Sequence, residues 1–127
     1  MKVAEEETKS RSGVVPPERR KYPRFDVDLP IQYKIDASTN CNARAMNLSE
    51  GGMLIHSIHR METGQRLMSK LIFILGSEMD TIEAEAEVVW SDIYSNRAWG
   101  DHRCGVRFRG ISPTDKNRLK DFLANLA

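Results

Sequence analysis

Arg20 and Arg24 stand four residues apart around Tyr22-Pro23, in the stretch "ERRKYPRF" where Arg19, Arg20, Lys21 and Arg24 place four cations within six residues. A guanidinium is a planar fork of donors that fits phosphate oxygens or the O6/N7 edge of guanine, and its flat face stacks on a base; a lysine ammonium does neither as well. Two such forks on either side of a stiff proline can clamp one anion if the segment wraps back across the domain that follows. The bland alternative, a solvated cationic tail, stays open on this stretch alone. A second polar cluster, "NLSEGG", runs from Asn47 to Gly52. Asn47 and Ser49, two apart on an extended chain, point to the same side, and both donate and accept hydrogen bonds. Gly51 and Gly52 permit a positive φ or a close backbone approach. Alone, this cluster also reads as a turn whose Asn and Ser merely cap the backbone. The two clusters together describe a site for guanine and phosphate.

Other chemistry is poorly supported. His56, His59 and His102 are the three histidines, and none lies in a nucleophile or metal signature. They read as ordinary surface or loop residues, and no catalytic constellation or metal site is expected. Cys41 and Cys104 are far apart without metal-type spacing, as in a reduced cytoplasmic protein. Asp80, Glu83, Glu85 and Glu87 read as a solvated strand face. The formal net charge of +1 gives no global field to recruit nucleic acid or an anionic membrane, so any anion site must be local. No apolar run approaches the ~18 residues of a membrane span, and no secretory leader follows Met1.

The elements that must position these residues are mostly strands. The 127 residues suffice for one domain with a core. Residues 1–17 read as a flexible tail, with Pro16-Pro17 opposing a helix, and residues 18–127 as the folded domain. Leu29, Ile31, Tyr33 and Ile35 alternate with polar or turn residues and predict a first strand with one buried face. Further strands are expected over Cys41–Met46, Met53–Ser57 and Leu67–Leu75, the last ended by Gly76-Ser77. Ile82, Ala84, Ala86 and Val88 alternate with Glu83, Glu85 and Glu87, and the slip at Val89-Trp90 predicts a bulge or exit. "SDIYSNRAWGD" reads as a long hairpin loop and "RCGVRF" as a short last strand. Ser112, Pro113 and Asp115 then open a helix over 112–126 as N-cap, first residue and capping-box acid, with Leu119, Phe122, Leu123 and Leu126 on its apolar face. The fold expected is mainly β: a small six-stranded antiparallel barrel with a C-terminal helix.

With these landmarks in order, the sequence resembles the PilZ domain family, bacterial receptors for cyclic di-GMP. The signature R-x-x-x-R followed by D/N-x-S-x-x-G reads here as "RKYPR" (Arg20–Arg24) and "NLSEGG" (Asn47–Gly52). "VVW" at Val88–Trp90, "GVRF" at Gly105–Phe108 and the "ISPTDKNRLKDFL" helix resemble the family's later strands and helix, so the match covers roughly residues 18–126. The resemblance implies a split-barrel fold and cyclic di-GMP as ligand, with no cofactor. It implies that Arg20 and Arg24 grip guanine edges and phosphates, that Asn47 and Ser49 hydrogen-bond a guanine, and that Gly52 makes room for the turn. Arg19 directly precedes the motif, where a basic residue in some members holds an intercalated ligand dimer. Asn47 replaces the commoner Asp, a variant within the pattern.

The expectation is therefore a stand-alone, non-enzymatic receptor whose segment before Leu29 is mobile when free, folds over the barrel on binding, and signals in trans to an unidentified partner protein. The sequence singles out no output among motility, exopolysaccharide secretion, pilus function and development. Two contacts of about 1–3 kcal/mol each plus stacking, less the cost of ordering, leave an affinity near micromolar, on the order of −8 kcal/mol. One rival is a PilZ-like protein–protein adaptor with weak or no ligand binding. The other is a barrel for single-stranded nucleic acid, for which Tyr22, Phe25, Trp90 and Trp99 form no interleaved basic–aromatic stripe. Neither DNA nor RNA is an expected partner, and no membrane insertion is expected.

Overall fold

Strand alternation decides the architecture, and the computed structural model describes it over residues 22–36, 38–96 and 100–127. The strands are β1 (Phe25–Lys34), β2 (Asn40–Leu48), β3 (Gly52–Ser57), β4 (Arg66–Leu75), β5 (Glu78–Asn96) and β6 (Gly100–Ile111), followed by helix α1 (Pro113–Leu126). All neighbours are antiparallel and the sheet closes in the order β1-β2-β3-β6-β5-β4. Closure rests on β1 and β4, which pair from Ile31↔Leu71 to Lys34↔Met68, and leaves the sheet no long exposed edge.

The inward residues are those the period-2 pattern selects. Ile31, Tyr33, Ala43, Ala45, Ile55, Leu67, Leu71, Phe73, Ile82, Ala86 and Val88 share one buried cluster. The β4–β5 hairpin turns in two residues, Gly76-Ser77, between the pair Leu75↔Glu78. Gly76 has φ +68 there, a left-handed conformation that tight hairpins need and that glycine adopts at little cost.

Four expectations change. The first strand begins at Phe25, because Phe25, Val27 and Leu29 also pack on the core, and it ends at Lys34; Ile35 lies past that end, 44% exposed. The fifth and sixth strands are much longer than their apolar cores. Ser91–Asn96 and Gly100–Cys104 pair with one another, as in Ser91↔Cys104 and Asn96↔Gly100, so most of the expected hairpin loop is ladder: pairing across two strands does not require an apolar side chain at every second position. The bulge at Val88–Trp90 is present, and the β3–β4 connection reaches it, Gly64 N donating to Val88 O (2.7 Å) and Val88 N to Gln65 O (2.9 Å). The fourth change is at the helix end, where Leu126 is 41% exposed instead of lying on the buried face.

Helix α1 starts as its sequence dictates. Ser112 Oγ accepts from Asp115 N (3.1 Å) with Pro113 in the first turn. The Asp115 carboxylate reaches across to the barrel, accepting from Glu83 N (3.1 Å) and Arg118 (3.1 Å). Leu119, Phe122 and Leu123 join the barrel's core, Phe122 with its ring centroid 4.7 Å from that of Phe73. Among the described residues no helix is long and apolar enough to cross a membrane.

Candidate ligand site at the turn between β2 and β3

Asn47 reaches the outer face of the barrel because of a bulge. Ala43 and Ala45 point inward and are buried, so uninterrupted alternation would carry Asn47 into the core. The register slips between Ala45↔Ile55 and Asn47↔Leu54, with Met46 as the extra residue, and Leu48 takes the inward position opposite Met53 instead. Bulges re-aim side chains in this way. The half-buried Asn47 now faces outward between Asp26 on β1 and Leu54 on β3. Among the described residues its amide has no hydrogen-bond partner.

Ser49 does not sit beside it as an outward-facing partner. β2 ends at Leu48, and Ser49 is buried (8% exposed) in the turn. Its Oγ accepts from Gly51 N (3.1 Å) and Gly52 N (3.2 Å) and faces Gly52 O at 3.4 Å, while Ser49 N donates to Gly52 O at 2.9 Å. The hydroxyl thus satisfies the backbone donors of a four-residue turn, the capping role that the sequence left open. Of the two uses offered for Gly52, the structure takes close approach. A Cβ there would lie 2.0 Å from Val106 O, and the described glycines with positive φ are Gly64 and Gly76. Gly51 O accepts from Phe108 N (2.9 Å), so β6 fixes the turn from the other side.

The arginine segment arrives at this corner. Phe25↔Leu48 opens the β1–β2 ladder, which carries the exposed Arg24 to the level of Ser49. β1 is already paired at Phe25 and Asp26, so the mobility expected for the whole segment before Leu29 does not extend to these two residues. Arg19 and Arg20 lie outside the described residues. Tyr22, a residue the sequence reading gave no role, rests on the turn: a Cβ on Gly51 would meet its Cδ2 at 3.0 Å, and Lys116 Nζ of α1 is 5.7 Å from its ring centroid. Arg107 was also passed over; it stands directly opposite Gly52. Glu87 lies between Arg107 (3.7 Å) and Arg109 (3.3 Å), with its Oε1 buried and making no hydrogen bond among the described residues. Neither residue carries a sequence signal, since their neighbourhood exists only through the ladder.

The other end of β3 and β6 has a different chemistry. His56 is a buried strand residue (5% exposed), not a surface or loop one. Burial, with Arg103 beside it, lowers its pKa. Beyond it a cavity of about 130 Å³ is lined by Ser57, Met61, Asp92, Arg103 and Cys104 among others. Arg103 is held bidentate by Asp92 (2.7 and 3.0 Å) and lies over the Trp90 ring at 5.5 Å. Burial pushes the Cys104 thiol up to about 12, so it is a protonated core group rather than a nucleophile. No group of three or more metal-ligating side chains occurs among the described residues.

A closed six-stranded barrel carries, at one corner, a serine-locked turn after β2 and the entry of an arginine-bearing stretch into β1. The PilZ domain model matches residues 18–125, and the chain belongs to the PilZ domain family. Among curated proteins none matches by sequence. Three solved structures share the fold. The inhibitor of motility MotI/DgrA of Bacillus subtilis matches with TM-score 0.71 and 20% identity over 84% of this chain and 50% of its own. The PilZ domain of YcgR from Escherichia coli with c-di-GMP gives 0.65 and 19% over 85% and 91%. The K. pneumonia MrkH–c-di-GMP complex gives 0.69 and 16% over 85% and 52%. The chain therefore spans about half the length of the MotI and MrkH chains and most of the YcgR domain.

Proposed function

We propose that this chain is a cyclic di-GMP receptor. Arg20 and Arg24 grip guanine edges and phosphates, Asn47 hydrogen-bonds a guanine edge, and Ser49 and Gly52 hold the turn that presents it. Arg19 is the position at which a second, intercalated ligand molecule would be held. The observation that carries the reading is the bulge at Met46, which turns Asn47 outward beside a serine-locked turn at the same corner where the arginine segment enters β1. A half-buried amide with no hydrogen-bond partner among the described residues, at the corner where the chain from Arg24 enters β1, suits the acceptor and donor pattern of guanine plus phosphate. Family membership supports the same ligand, and YcgR and MrkH are solved with it.

On this reading ligand binding reorganises the segment before Phe25, and the surface made by that segment and the ligand is read by a partner protein in the cytoplasm. The decisive experiment is isothermal titration of the purified chain with cyclic di-GMP, with GMP as control and an Arg20→Ala, Arg24→Ala double variant. Saturable micromolar binding that GMP does not compete for and the variant loses is the expected result. Absence of heat and of any shift in melting temperature far above micromolar ligand overturns the reading and leaves a protein–protein adaptor.

A further inference from the structure

Tyr22 sits midway between the two motif arginines, and its ring rests on a seat that is built without it. Gly51 presents its bare Cα face to the ring: a Cβ there would lie 3.0 Å from Cδ2 and 3.4 Å from Cε2 of Tyr22. The Gly51 amide is held by Ser49 Oγ (3.1 Å) and its carbonyl by Phe108 N (2.9 Å), so the seat is fixed from within the turn and from β6. A third element closes it, because Lys116 Nζ of α1 lies 5.7 Å from the ring centroid, within cation–π range. The backbone of Lys116 is fixed in the first turn of α1, its N donating to Ser112 O at 2.8 Å.

We propose that Tyr22 is a positioning residue that holds Arg24 at the motif corner before ligand arrives, and that its contact with Lys116 makes helix α1 part of that hold. The inference rests on the receptor reading above. Arg24 is two residues from Tyr22, so covalent geometry alone confines its Cα to within about 7 Å of the seated residue's Cα. An arginine held two residues from a seated ring has already lost part of the conformational freedom that an untethered one must lose on binding, and that difference appears as affinity. The glycine at position 51 is then explained by the ring it receives, as Gly52 is explained by Val106 O.

The seat can be tested without ligand. In NMR spectra of the ligand-free full chain, the Gly51 Hα resonances should be displaced by the Tyr22 ring current, should keep that displacement in Tyr22→Phe, and should lose it in Tyr22→Leu. Titration with cyclic di-GMP should then show binding about tenfold weaker in Tyr22→Leu and unchanged in Tyr22→Phe, with equal melting temperatures without ligand. Gly51→Ala, which intrudes on the seat from the other side, should weaken binding similarly and add little to Tyr22→Leu. Wild-type affinity in Tyr22→Leu, additive losses, or an undisplaced Gly51 overturns the positioning role while leaving the receptor reading intact. A wild-type chain that shows the ring-current displacement yet binds no cyclic di-GMP overturns the receptor reading, and the positioning role with it.

Discussion

The outer wall formed by β4 and β5 and the corner where β2 turns into β3 are both polar, but their polar groups answer to different partners. On the wall, charge meets charge across the ladder: Arg66 with Glu85 at 3.0 Å, Lys70 with Glu83 at 3.9 Å, and Arg118 of α1 with Asp80 at 3.6 Å. These pairs are exposed, where such contacts contribute about 0–1 kcal/mol. They make a hydrated surface and little else, as the alternation of Glu83 and Glu85 suggested; Glu87, read as part of the same solvated face, instead has its Oε1 buried between Arg107 and Arg109. At the corner, Ser49 is committed to the backbone and Asn47 is aimed outward by a bulge. On the proposed receptor reading, the site is marked by a rigid backbone presenting an uncommitted amide rather than by density of charge.

That contrast can be broken most directly at Gly52. A Cβ at 52 would lie 2.0 Å from Val106 O, a backbone atom that cannot step aside without parting β3 from β6. Gly52→Ala should cost about 3 kcal/mol, at the upper end for single substitutions, read as a lowered urea midpoint. Gly105→Ala is the control: there the obstacle is the Trp90 indole at 2.1 Å, a side chain 39% exposed that can swing outward. It should cost about 1–2 kcal/mol with a change in tryptophan emission. Equal costs would show that the corner's backbone is no stiffer than a side-chain contact.

A smaller effect concerns His56, at the far end of the same strand. Burial, with Arg103 adding to it and Asp92 and Asp28 opposing, holds its folded-state pKa below the ordinary 6.5. The unfolded chain then binds the proton more readily than the folded one, so this residue's contribution to stability is full above pH 6.5 and declines as pH falls below it. Unfolding free energies measured from pH 7.5 to 5.5 should fall toward acid in the wild type and fall less in His56→Gln. Identical pH slopes would show that the histidine is not held neutral.

The smallest change should come from the wall. Glu85→Gln removes one side of an exposed pair, 53% and 42% accessible, and should shift stability by about 0.5 kcal/mol or less. Cyclic di-GMP affinity should not move. A large loss of affinity would mean that the wall, too, belongs to the site.

Much of the fold was legible because period-2 alternation and burial are the same statement. Ile82 to Val88 point inward as their spacing required, and Ser112-Pro113 opened the helix. The two-residue turn at Gly76-Ser77 fell where its chemistry said. What escaped was whatever depends on a partner strand. "SDIYSN" continues β5 only because β6 pairs with it. His56 looked like a surface residue because neither its own sequence nor its neighbours' shows that it is buried. The candidate site was legible as residue types and order, but not as geometry: Asn47 and Ser49 were expected side by side, and the structure gives one to the surface and the other to the turn.

By itself the sequence determined the strand periods, the helix cap, the family and the chemical character of the corner, because each follows from local spacing and side-chain type. Only the tertiary structure decided which way Asn47 faces, why positions 51 and 52 are both glycine, and where Tyr22 rests. Those facts depend on atoms from β1, β3, β6 and α1 meeting at one place, and a bulge of one residue is enough to reverse what local alternation would have said.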